Sequence, residues 1–168
     1  MSKLLYRNNG RGLFENVSNQ LGPDLQISRV SRGAAVADVD NDGDLDILIN
    51  NNGQEPQLLI NEGGNKGHWL GIALIGTRSN RDGVGTRIKL VSGDLTSYDQ
   101  RQGGRSYQSA HDGRLYYGLG ARTKVDLIEI RWSSGSIETL KNIEADQIIT
   151  VKEGSGQISQ RDPRWRPR

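Results

Sequence analysis

The sequence predicts a mainly β chain in two parts, one propeller-type blade followed by an antiparallel β-sandwich-like domain. Three observations carry that expectation. Short Val/Ile/Leu-rich segments recur through most of the 168 residues, and no stretch of eleven or more holds a 3.6-residue apolar period. Only 33% of residues are hydrophobic while 22 are glycine, with one Phe and one Met, a profile that suits a loop-rich β protein better than a helical bundle. The segments fall into two groups separated by Glu62-Gly63-Gly64-Asn65-Lys66-Gly67-His68, which reads as a linker.

In the first group, Leu13–Val17, Gly33–Ala37, Ile47–Ile49 and Leu58–Ile60 are the strand candidates. Leu5-Tyr6-Arg7-Asn8-Asn9-Gly10 recurs faintly as Leu58-Leu59-Ile60-Asn61-Glu62-Gly63, an offset of 53 residues. A period near fifty with about four strands is the size of a propeller blade. One blade cannot close a propeller, and a repeat unit buries its apolar face against a neighbour. The expected domain bounds are 1–64 for this unit, 67–154 for the second and 155–168 for a basic, disordered tail.

Between two of these strands lies Asp38-Val39-Asp40-Asn41-Asp42-Gly43-Asp44-Leu45-Asp46, five carboxylates in one loop with no basic residue among them. Such a run repels itself. A hard divalent cation removes the conflict, because Ca²⁺ takes about 6–8 oxygen ligands at roughly 2.3–2.6 Å. Alternate spacing aims Asp38, Asp40 and Asp42 inward, Gly43 permits the bend, the Asp44 carbonyl can supply a main-chain oxygen, and Asp46 closes the ring. An EF-hand places a bidentate Glu at the twelfth position, where this chain has Ile49, and apolar runs flank the loop instead of helices. A solvated acidic turn accounts for two or three such residues, not for five Asp.

Candidate strands of the second group are Trp69–Ile75, Thr86–Val91, Leu115–Tyr117, Val125–Trp132, Ile137–Leu140 and Gln147–Val151. Ser133-Ser134-Gly135 between the fourth and fifth marks a hairpin.

These residues match known families. Leu5–Gly10, Phe14–Val17 and Gly33–Asp46 resemble the FG-GAP/VCBS repeat, the propeller blade of integrin α-subunits and many bacterial surface proteins. Residues 67–154 resemble the ASPIC/UnbV domain, which follows such repeats in the cartilage acidic protein-like family. That second likeness rests on His68-Trp69-Leu70, Ser79 through Gly85, Tyr107, Tyr117-Gly118-Leu119-Gly120 and Arg131-Trp132-Ser133-Ser134-Gly135. Ser133 stands where the pattern has proline. The resemblance implies an extracellular, cell-surface or periplasmic calcium-binding protein acting in adhesion or protein interaction, with ligands at Asp38, Asp40, Asp42, the Asp44 carbonyl and Asp46, and no catalytic residues. With one whole repeat and no signal-peptide core before Asn8-Asn9-Gly10, the chain reads as the C-terminal portion of a longer protein or a truncated frame. Its unpartnered blade is expected to self-associate or to be covered by the second domain.

Other function classes find less support. There is no cysteine for a disulfide or thiolate site, and two histidines exclude a multi-histidine zinc centre. Ser109, His111 and Asp112 have the residue types of a hydrolytic triad but crowd into four positions, whereas triads assemble from distant segments. Asn80-Arg81-Asp82-Gly83 reads as a turn, and Gly118-Leu119-Gly120 lacks a dinucleotide fingerprint. Asn16-Val17-Ser18 is a glycosylation sequon. Tyr107, Tyr116, Tyr117 and Trp132 are assigned to the core ahead of a sugar-stacking surface. The pI of 9.0 belongs to Arg161–Arg168, which holds four Arg and one Asp. The rest has 18 basic residues (22 less four) against 19 acidic (20 less one). A nucleic-acid or polyanion partner would have to bind through that tail, and a carbohydrate-active or carbohydrate-binding protein is the other alternative to a non-enzymatic module with a protein or glycan partner. No apolar run approaches the ~20 residues of a membrane span.

Overall fold

The structure is a computed structural model that describes residues 3–155 and 158–160, the last three by backbone alone. Arg161–Arg168 lie outside the described residues, and with them the expected polyanion contact. No helix among the described residues is long and apolar enough to cross a membrane.

The expected β class is found. Strands β1 (Tyr6–Asn8) and β2 (Phe14–Asn16) form a two-stranded hairpin, and β3 (Ser31–Ala37), β4 (Asp46–Asn51) and β5 (Gln54–Leu59) an antiparallel sheet in that order. The four segments expected in one blade are therefore split. A 3-10 turn at Ser18–Gln20 and a one-turn helix at Pro23–Gln26 carry the chain from the hairpin to β3. Asn52-Gly53, with Gly53 at φ +64°, turns β4 into β5.

The second unit contains β6 (His68–Ile75), β7 (Arg87–Ser92), β8 (Leu95–Gln100), β9 (Leu115–Gly120), β10 (Lys124–Arg131), β11 (Ile137–Glu144), β12 (Gln147–Lys152) and β13 (Ile158–Gln160). Two four-stranded sheets, in the orders β11-β10-β7-β8 and β13-β12-β6-β9, pack face to face. Alternation fills the space between them: Leu70, Ile72 and Leu74 of β6 meet Ile88 and Leu90 of β7 and Ile128 and Ile130 of β10 in one buried cluster.

Three features depart from the sequence reading. First, β6 and β12 pair in parallel, Gln147 opposite Leu70 and Lys152 opposite Ile75. β6 opens the unit and β12 comes near its end, so no hairpin joins them, and both supply near-continuous apolar runs suited to the sheet centre. Second, β8 carries the polar run Thr-Ser-Tyr-Asp-Gln, which hides its half-exposed alternation, and it stands at a sheet edge. Third, Ile158–Gln160, inside the segment expected to be disordered, pair with Val151 through Ile149 of β12.

Tyr117 and Trp132 are buried in the core, Tyr116 is partly buried and Tyr107 is exposed. The Ser133–Gly135 turn closes as expected, with Gly135 N–H donating to Trp132 C=O at 2.9 Å. Asn80–Gly83 is likewise a turn, Gly83 N–H donating to Asn80 C=O at 3.0 Å.

Candidate metal centre

The loop between β3 and β4 is positioned by both strands. Ala37 pairs with Asp46 at the last rung of the ladder, so residues 38–45 form a closed excursion from the sheet end. Inside it the backbone curls around its own side chains. Asp42 N–H donates to Asp40 Oδ1 at 3.3 Å, and Asp44 N–H to Asp42 Oδ1 at 3.0 Å. Such Asx turns hold the carboxylates of alternate residues on the inner side. Asn41 at φ +65° and Gly43 at φ +100° complete the bend.

Asp38, Asp40 and Asp42 each offer an oxygen within 4.8 Å of the others. Asp40 and Asp42 are exposed, whereas Asp38 is 1% exposed and neither of its carboxylate oxygens has a hydrogen-bond partner. Burial pushes the Asp38 carboxyl up; the Arg114 guanidinium opposes this, helped by the Tyr116 hydroxyl and the Asn41 and Gly43 amides. These donors lie near enough to act through their field, but none reaches bonding geometry. A buried carboxylate without donors is costly, and a cation among three carboxylates supplies the missing partner. The donor set, all oxygen, is that of a hard cation such as Ca²⁺.

Asp44 and Asp46 are placed differently. Asp46 is buried and its two oxygens accept from Val39 N–H and Asn61 N–H, each at 2.9 Å, which ties both ends of the loop together while leaving each oxygen a further lone pair. The Asp44 side chain accepts from Gly64 N–H at 2.9 Å through Oδ2, while its buried Oδ1 has no partner. Burial also pushes the Asp44 carboxyl up, and the charges of Asp42 and Asp46 add to the effect. The structure thus gathers Asp38, Asp40 and Asp42 at one point and sets Asp44 and Asp46 against backbone amides.

Residues to which the sequence assigned no part in the loop surround it. Gly64–Lys66 is a 3-10 turn, not a spacer: Asn65 Nδ2 donates to Asp42 Oδ2 at 2.9 Å and to its carbonyl at 3.2 Å. Arg114, buried, donates from Nη2 to Asp38 C=O at 2.8 Å and from Nη1 to Asn41 Oδ1 at 2.7 Å. Its guanidinium pairs with Asp112 at 2.5 Å and lies over the Tyr116 ring, 5.2 Å from the centroid. Trp69 covers Gly43, where an added Cβ would fall 1.9 Å from the indole. The Arg114 contacts span 73 and 76 residues of chain, so no local pattern announces them.

Ser109, His111 and Asp112 do not form a relay. Ser109 Oγ donates to Tyr107 C=O at 2.9 Å, His111 Nδ1 accepts from Val36 N–H at 3.3 Å, and Asp112 holds Arg114. A cleft of about 1030 Å³ runs between the two units, lined by Leu48, Leu58 and Ile75 together with the charged Arg81, Asp82 and Arg114.

Residues 2–49 match the family model of the FG-GAP-like repeat, the acidic loop included. Residues 76–158 match that of ASPIC and UnbV. The chain carries an FG-GAP-like repeat followed by an ASPIC and UnbV domain. No curated protein matches it. The ASPIC and UnbV match begins at Gly76, just after β6, although β6 lies inside the sandwich sheet of that domain. The FG-GAP-like match ends at Ile49, before β5 completes the sheet. Together the two domains suggest an extracellular-type interaction module.

Proposed function

We propose that the chain is a non-enzymatic, calcium-stabilised β module that binds a protein or glycan partner at an extracellular or cell-surface location. One observation carries the calcium reading: Asp38 is buried with both carboxylate oxygens unpartnered, at the base of a loop that brings Asp40 and Asp42 beside it. In this reading Asp38, Asp40 and Asp42 hold the ion, Asp46 secures the loop ends, and Asn65 orients Asp42. Bound calcium neutralises the carboxylates and stabilises only the folded form. Stability therefore rises with calcium concentration above the dissociation constant, by about 2.7 kcal/mol at a hundredfold excess. The cleft between the units, lined by both apolar and charged side chains, suits a partner surface of mixed character.

Thermal melts in excess calcium and in excess chelator test the reading, with calorimetry to detect the ion. The expected result is a higher melting midpoint in calcium, and a shift lost in Asp38→Ala, Asp40→Ala and Asp42→Ala. Identical midpoints in both buffers, with no heat of binding, would remove calcium from the account.

A further inference from the structure

The second unit meets the loop at Asp38, Asn41 and Gly43, and these contacts fall on backbone and side-chain atoms whose positions exist only when the loop is ordered. Arg114 takes two acceptors at once, Asp38 C=O and Asn41 Oδ1. Trp69 fits against Gly43 because no side chain stands there. Just before Arg114, the chain runs beside β3, the edge strand of its sheet, and uses its free bonding positions. Asp112 N–H donates to Val36 C=O at 2.9 Å and Val36 N–H donates to His111 Nδ1 at 3.3 Å. Gly33 lets the chain approach closely, since a Cβ there would stand 2.7 Å from Ser109 Oγ and 2.9 Å from Tyr107 C=O.

We propose that Arg114 is a positioning residue for the acidic loop, and that calcium occupancy and docking of the ASPIC and UnbV domain onto β3 are one coupled equilibrium. This rests on the calcium reading of Asp38, Asp40 and Asp42. Ordering a loop has an entropic cost that either event alone must meet in full. When both occur the cost is met once, so each strengthens the other by the same factor. The charges permit this sign. A lone guanidinium beside a divalent cation would oppose binding, but Arg114 is paired with partly buried Asp112 at 2.5 Å, so the ion pair that faces the loop is neutral. It offers N–H donors to the outer carbonyl and amide oxygens and leaves the inner carboxylates to the ion. His111 contributes without touching the loop: its bond to Val36 holds the docked segment in place two residues before Asp38.

The experiment is a calcium titration by calorimetry on the full chain, wild type against Arg114→Ala, Arg114→Lys and His111→Leu, each verified as folded by its β-sheet circular dichroism. Hydrogen exchange of residues 107–114 is followed in calcium and in chelator. Coupling of the usual size for linked sites predicts that Arg114→Ala and His111→Leu weaken calcium binding by at least about fivefold. Arg114→Lys should recover part of the loss, because an ammonium can serve one of the two acceptors. Calcium should slow exchange across 107–114 in the wild type. His111→Leu is the decisive variant, since it lies outside the loop, and it carries the test if Arg114→Ala does not fold. A chain that binds calcium equally well with and without His111 and Arg114, or whose 107–114 exchange ignores calcium, overturns the coupling alone. A wild-type chain that takes up no calcium overturns the metal reading and the coupling with it.

Discussion

Gly43 shows how much one position can be asked to do. Its φ of +100° is open to glycine and rare for other residues, and the Trp69 indole occupies the volume of the missing Cβ. Gly53 shares the positive φ, at +64°, but has nothing within 4 Å of an added Cβ. Gly53→Ala therefore introduces backbone strain alone, of about 1–3 kcal/mol, whereas Gly43→Ala adds a clash that moves Trp69. Urea unfolding in excess chelator, which removes any effect on the ion, should show Gly43→Ala as the more destabilising by at least about 1 kcal/mol. Equal losses would mean that Trp69 yields without cost. From the sequence, Gly43 was legible as a bend; its role as a seat for Trp69, in another strand, was not.

At the scale of elements, Glu153 joins three segments just beyond β12. Its Oε2 accepts from the backbone N–H groups of Thr77, Arg78 and Ser79 at 2.7–2.8 Å, and Oε1 from the hydroxyls of Ser79, Ser134 and Ser136. Burial opposes the charge, but the Ser134 hydroxyl and the Ser79, Thr77 and Arg78 amides outweigh it and hold the carboxyl well below its ordinary 4.5. A folded-state value below the unfolded one means the contribution is full above pH 4.5 and is lost as pH falls below it. Glu153→Gln should therefore melt lower than the wild type at pH 7, with the gap narrowing as pH is lowered from 5 toward 2. A gap that stays constant with pH would show that the hydrogen bonds act without the charge. Ser133, which stands where a proline was expected, leaves this arrangement intact: Ser134 still donates to Glu153. The role of Glu153 was invisible in sequence because the donors that meet it lie 17 to 76 residues away along the chain.

Across the whole molecule, burial is uneven. Fifteen buried apolar residues form the sandwich core, while in the first unit Val17, Leu25 and Ile49 are the buried apolar residues among those described. The hairpin β1–β2 leaves Leu13 and Phe14 in water, at 66% and 64% exposure. Residues 107–112 cover the β3 edge, whereas among the described residues Leu13 and Phe14 of the hairpin stay exposed. Native-state hydrogen exchange should consequently rank β10 and β12 amides as the slowest and β1–β2 amides as the fastest, with β3–β5 between and slowed further by calcium. Uniform protection across both units would contradict this division of the core.

Features set by short-range pattern were legible in the sequence. Alternating and continuous apolar runs announced most of the strands, and the Ser133–Gly135 and Asn80–Gly83 turns followed from their composition. Five Asp at alternate positions identified the acidic loop and the three carboxylates, Asp38, Asp40 and Asp42, that the fold brings within 4.8 Å. What meets that loop depends on long-range contacts. The parallel pairing of β6 with β12, the return of residues 107–114 to β3, and the bonds from Arg114 to Asp38 and Asn41 all join segments some seventy to eighty residues apart. Local propensity carries no term for such contacts. The contacts of residues 107–114 arise because β3 has free edge bonds and Asp38 and Asn41 have acceptors to satisfy, and only the closed fold brings donors within reach.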